Sequence, residues 1–170
     1  MVTTERPTVV IDVAARWAVD AVLFLAMSVG FMAWGVIARS SAANILTFAV
    51  MATVAMLLDR MSPLLPDAAA LAQAHERPPD DAVRRTWRRY AVAAAAAMAA
   101  LFAFLAVFAV IRVEPGFFAG WMAAFFVSRL RGLVAAREVE RASGVRLSVA
   151  VRRSVWRRRT QEFYATPRTA

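Results

Sequence analysis

Four long apolar runs, residues 17–38, 42–58, 90–111 and 115–128, dominate this chain, and charged residues separate them. About 20 consecutive apolar residues form a helix long enough for a ~30 Å hydrocarbon core. The first and third runs are 22 residues long and the second is 17. The fourth, at 14 residues, reaches roughly 21 Å. It spans only as a segment 115–131 in which Arg129 and Arg131 extend to the headgroups. A re-entrant segment is the alternative there. Composition points the same way: 61% of residues are hydrophobic, with a mean hydropathy of +0.53, against about 45–50% apolar in a soluble domain.

The expected fold class is therefore all-α: an integral membrane four-helix bundle with a basic cytoplasmic C-terminal tail. It divides into a cytoplasmic N-terminus (1–16), spans at 17–38, 42–58, 90–111 and 115–131, a cytoplasmic loop (59–89) and a tail (132–170). A cleaved signal peptide competes for the first run. Such a peptide has an apolar region of only about 7–15 residues behind a basic stretch. Residues 1–16 hold Glu5, Arg6, Asp12 and Arg16, with no net charge, so a retained span is expected.

Charge sets the orientation. The chain carries a net charge of +9, and all 21 basic residues are arginine. Cytoplasmic loops of membrane proteins are enriched in basic residues. With both termini inside, only Arg39 and Arg112 face out; inverting the protein would export nearly every arginine. The expected location is the plasma membrane, multi-pass, with both ends cytoplasmic. The arginine and alanine content fits a GC-rich genome, which concerns codon usage rather than mechanism.

Local signals refine the connections. Ser40 or Ser41 can cap the second helix. The loop is broken by Pro63, Pro66, Pro78 and Pro79, with a short helix expected over 67–76. Asp80 and Asp81 stand four residues before Arg84 and Arg85, a spacing that supports a helix start in the cytoplasm. Pro115 suits the first turn of the fourth helix.

Several residues are candidates for membrane-surface contact. Arg84, Arg85, Trp87, Arg88, Arg89 and Tyr90 mix guanidinium groups with aromatic rings at the third span's edge, as the headgroup layer favours. Arg152, Arg153, Trp156, Arg157, Arg158 and Arg159 form a second cluster in the tail. There Leu147, Val151 and Val155 recur at i,i+4, as in a basic amphipathic helix on an anionic leaflet. Val145, Leu147, Val149 and Val151 alternate equally well as a strand.

For helix packing, Ala91, Ala95, Ala99 and Ala103 recur every fourth residue, a small-residue stripe that permits close approach in lipid. Ala26 and Gly30 offer a smaller version. Leu101, Leu105 and Phe108 fall on another face and are expected to meet lipid or fill gaps. Asn44 and Thr47 share a face of the second span and are candidates for interhelical hydrogen bonds. Thr53 can bond back to its own helix.

Asp20 is the one acidic residue within an apolar run. An intramembrane pair with Arg16, four residues earlier, is its expected role; proton or cation coupling is the alternative. Arg16 and Asp20, with Asp59 closing the second run, resemble the arginine–aspartate–aspartate pattern that names the RDD-type membrane family. The Arg16–Asp20 spacing is shorter than that pattern and no other segment matches, so no membership is read from it.

Catalytic signals are lacking. The chain has no cysteine, which excludes disulfides, thiolate chemistry and cysteine-ligated metals. Its single histidine, His75, lies in the proline-bounded loop and is expected to be solvated. No phosphate-cradling loop, zinc-hydrolase helix, acidic cluster for two metals or serine–histidine constellation occurs. No cofactor is expected. The expected function is non-enzymatic: an accessory or scaffolding membrane subunit whose arginine-rich cytoplasmic face contacts anionic lipid headgroups or a protein partner. A small oligomeric transporter or channel subunit is the alternative. Homo-oligomerisation fits either, and nucleic-acid binding is not expected.

Overall fold

A computed structural model describes residues 9–38, 41–61, 71–72, 74, 83–84, 86–111, 114–151 and 161–167. Four long helices carry the apolar runs: α1 (Val13–Ala38), α2 (Ser41–Met61), α3 (Trp87–Ile111) and α4 (Pro115–Ser143). All four are long and apolar enough to cross a membrane, as a multi-pass membrane protein requires. Beside them stand four strands: β1 (Val9–Asp12), β2 (Val83–Arg84), β3 (Val145–Val151) and β4 (Gln161–Pro167).

The bundle is organised around α4, which packs along α1 and α2. Its sequence explains this position. Gly116, Gly120, Ala124, Ser128, Gly132 and Ala136 are all buried and follow one another at four-residue spacing. Small residues so spaced line one stripe of a helix and let neighbouring backbones come close. A Cβ on Gly116 or Gly120 would meet backbone atoms of α2. By contrast α3 rests mainly on α1, and the most apolar window of α3 has none of its residues buried.

An aromatic and methionine cluster fills the middle of the bundle. Phe31 is fully buried there with Met27, Ala119 and Met122. Its ring centroid lies 4.5 Å from that of Phe102 and 5.4 Å from that of Phe118. Phe102, with Met98 and Leu105, is how α3 attaches at this level.

The strands correct the all-α expectation. They form one sheet in the order β2–β1–β3–β4, parallel between β1 and β2 and antiparallel elsewhere. β3 and β4 are in register from Val145↔Pro167 to Val151↔Gln161. The amphipathic helix expected over Leu147 and Val151 is therefore a strand, and Val155 lies outside the described residues. The switch has a local cause. Gly144 ends α4 in the left-handed conformation (φ 65°), which glycine adopts without a Cβ penalty. The alternating valines beyond it then suit a pleated surface. Leu147 and Val149, both 0% exposed, pack with Val13, Trp17, Leu133 and Ala136.

This sheet sits at one end of the bundle, where α1 and α3 begin and α2 and α4 end. At 29 residues, α4 is about 43 Å long, well beyond a hydrocarbon core. It is one unbroken helix rather than a re-entrant turn, and its last turns support the sheet. Trp17, expected to open the first span, is buried beneath the sheet and edge-on to Phe163. The side chain of Asp12 caps α1 by accepting the Ala15 N–H at 2.9 Å, a standard way to satisfy a helix start. It also pairs with Arg146 at 3.1 Å. Buried Glu140 accepts the Leu147 N–H at 2.9 Å and ties β3 back to α4.

Candidate functional site: a polar belt at the sheet end

The apolar helices carry their ionisable side chains close to the sheet. Asp20, about two turns into α1, is only 7% exposed. The Tyr90 hydroxyl donates to its Oδ1 at 2.5 Å. Arg129 Nε stands 3.7 Å from its Oδ2. One carboxylate thus joins α1 to α3 and to α4. Arg16 does not pair with Asp20 as expected; its guanidinium lies over the Tyr90 ring, 5.9 Å from the centroid. Its Nε and Nη1 are buried without a hydrogen-bond acceptor among the described residues. Four residues along a helix place Arg16 and Asp20 on one face, but the tyrosine and arginine of neighbouring helices reach the carboxylate instead.

A second node lies alongside. Asp59, near the end of α2, accepts the Ser128 hydroxyl at 3.1 Å and faces Arg131 Nη1 at 3.4 Å. Asp59 and Ser128 stand at the sheet-side end of a cavity of about 320 Å³ between α2 and α4. Ala55, Leu58, Trp121 and Phe125 form its apolar walls. The Trp121 indole N–H is buried and finds no acceptor among the described residues.

The surface candidates divide. Trp87, Arg88 and Arg89 are exposed at the start of α3, with the Arg88 guanidinium 5.7 Å from the Trp87 ring centre. Tyr90 is half-buried against Asp20 instead. Arg84 belongs to β2. Arg85, Arg152, Arg153, Trp156, Arg157, Arg158 and Arg159 lie outside the described residues, as do His75 and most of the helix expected over 67–76.

The packing candidates divide too. Asn44 is fully buried. Its Oδ1 accepts the Gly116 N–H at 2.5 Å, and its Nδ2 lies 3.7 Å from Met32 Sδ. Thr47 and Thr53 donate to carbonyls four residues back in their own helix, so Thr47 makes no interhelical bond. Ala91 is half-buried, but Ala95, Ala99 and Ala103 are exposed on α3. The face of α3 that meets α1 carries Met98, Phe102 and Leu105 instead. Leu105, expected to meet lipid or fill gaps, is part of that contact. Gly30 lies against the Phe102 ring.

Reading the sequence one segment at a time missed the α4 stripe, although its four-residue spacing is visible from Gly116 to Ala136. It also missed Tyr90 and Arg129 as partners of Asp20; nothing in the linear spacing signals those contacts. Among the described residues no group of three His, Asp or Glu could hold a metal ion. Comparison with protein families, with curated proteins and with solved structures finds no match to this chain.

Proposed function

We propose that this is a non-enzymatic, multi-pass membrane protein, an accessory or scaffolding subunit whose arginine-rich cytoplasmic face contacts anionic lipid headgroups. The observation that carries this reading is the placement of exposed charge. Arg88, Arg89, Arg131, Arg137, Arg141 and Arg146 are all exposed and gather at or beyond the sheet end of the bundle. The flanks of the helices away from that end expose Val, Leu, Ile and Phe. A sheet held directly on the ends of α1 and α4 gives that face a fixed platform. The arginines of 152–159 lie between β3 and β4 in the chain and outside the described residues.

Arginine near an anionic leaflet contributes about 1 kcal/mol each, and salt screens the attraction. The intact protein in nanodiscs of mixed phosphatidylcholine and phosphatidylglycerol should gather phosphatidylglycerol around itself. Arg88→Gln with Arg89→Gln should measurably reduce that enrichment at low salt, and high salt should reduce it in the parent. Equal recruitment of both lipids by the parent protein would refute the proposal. Transport by an oligomer would need free polar groups at mid-membrane, whereas Asn44 bonds Gly116 and Ser28 bonds the Ala119 carbonyl.

A further inference from the structure

We infer that the belt between α1, α3 and α4 is a discrete site for one anionic lipid, with its phosphate on Arg16 and Arg129 and an acyl chain in the cavity between α2 and α4. This deepens the surface reading above and rests on it.

Charge balance is the first ground. The cluster contains two guanidinium groups, Arg16 and Arg129, and one carboxylate, Asp20, which Tyr90 also engages. Alongside it, Asp59 faces Arg131 at 3.4 Å. Among the described residues of this cluster, the two guanidinium groups outnumber the one carboxylate in a partly buried setting. Two nitrogens of Arg16 have no acceptor among the described residues. A buried guanidinium without a counter-ion is costly, and a phosphate is the anion its planar fork fits best. A monoanionic phosphodiester neutralises the cluster; a zwitterionic headgroup would bring its own cation into it.

The cavity is the second ground. It runs along α4 from Trp121 to Ser128, about 10 Å. Phe125 in its wall lies one turn before Arg129 and so shares its face. On α1, Phe24 lies one turn after Asp20, and the two phenyl rings are 5.3 Å apart. On α4 the apolar cavity and Arg129 are thus successive levels of one face, in the order that an acyl chain and its headgroup require. Leu58 at its edge is 49% exposed, so the cavity borders the lipid. Asp20, Tyr90 and Asp59 act as positioning residues that hold the arginines.

The test uses the full chain in nanodiscs of phosphatidylcholine with a minority of phosphatidylglycerol, released into detergent for native mass spectrometry. The parent protein should retain one phosphatidylglycerol per chain. Arg16→Gln and Arg129→Gln should each lower that retention about tenfold or more, the loss expected for a charge-assisted hydrogen bond. Arg88→Gln with Arg89→Gln should leave the retained lipid in place while reducing bulk enrichment. Leu58→Trp, at an exposed position, should displace the lipid by filling the cavity; it keeps the test open if an arginine variant misfolds. Retention unchanged in folded Arg16→Gln and in Leu58→Trp would overturn the inference while leaving the surface reading intact. Inorganic phosphate displacing the lipid, or stabilising the protein equally, would also overturn it by making the acyl chain irrelevant. If bulk enrichment is absent in the parent yet one lipid is retained, the surface reading fails and the site stands.

Discussion

Replacing Asn44 with alanine is expected to destabilise the bundle by about 2 kcal/mol. Asn44 is 0% exposed and stands where α1, α2 and α4 meet. Both Gly35 and Gly116 lie so close to it that a Cβ on either would collide with its atoms. Its Oδ1 takes the Gly116 N–H, one of the four donors at the start of α4 that no helical carbonyl can satisfy. Alanine removes that acceptor from a buried donor, a penalty of about 1–3 kcal/mol. An ordinary interhelical side-chain bond in a membrane averages only about 0.6 kcal/mol, so the excess comes from the orphaned donor and the void. Asn44→Leu refills the void without restoring the acceptor and should remain destabilised. Thr47→Val is the control: its hydroxyl serves only the Ala43 carbonyl, and the change should stay within about 0.5 kcal/mol. Reversible unfolding in mixed micelles, followed by helical circular dichroism, reads all three. Asn44→Ala indistinguishable from the parent, or Thr47→Val equally damaging, would refute the reasoning.

Gly120→Ala should cost about 1–3 kcal/mol or more, because the new Cβ would sit 2.7 Å from the Phe48 carbonyl and 2.8 Å from the Ala52 nitrogen. Gly30→Ala should cost less, since only the movable Phe102 ring stands in its way; the same unfolding titration ranks the two. Phe102→Ala should cost about 3–4 kcal/mol by removing the ring that joins α3 to Phe31. Ala95→Leu and Ala99→Leu, both exposed within the chain, should leave monomer unfolding unchanged within about 0.5 kcal/mol. Tyr90→Phe should raise amide hydrogen exchange at the start of α3, because it loses the bond to Asp20; unchanged exchange would mean that α3 is held by its aromatic contacts alone.

The membrane part of the fold is readable from the chain because lipid imposes a simple requirement. A span must be long, apolar and internally hydrogen-bonded, and runs 17–38, 42–58 and 90–111 meet it visibly. The fourth run looked short because Arg129 and Arg131 interrupt it, yet their charges are held at its sheet end by Asp20 and Asp59. The sheet was harder to see. β1 is four residues long and β2 two, and strands so short exist only through partners far along the chain. In β3 both periodicities fit, and Gly144 decided between them. Alanine at 95, 99 and 103 competed with the glycine-led stripe of α4 and was the more prominent by abundance, yet those alanines are exposed within the chain. Glycine was the better guide, since it marks where backbones must nearly touch.

The proposed contact with anionic lipid requires the sheet end to face the cytoplasm. The chain has no native cysteine, so single cysteines report topology directly. Ser143→Cys lies exposed at the end of α4, and Ala42→Cys lies exposed at the opposite end of the bundle. A membrane-impermeant maleimide applied to intact cells should label Ala42→Cys and should reach Ser143→Cys only after permeabilisation. Labelling of Ser143→Cys in intact cells, with Ala42→Cys protected, would invert the protein and remove the arginine-rich face from the cytoplasmic leaflet.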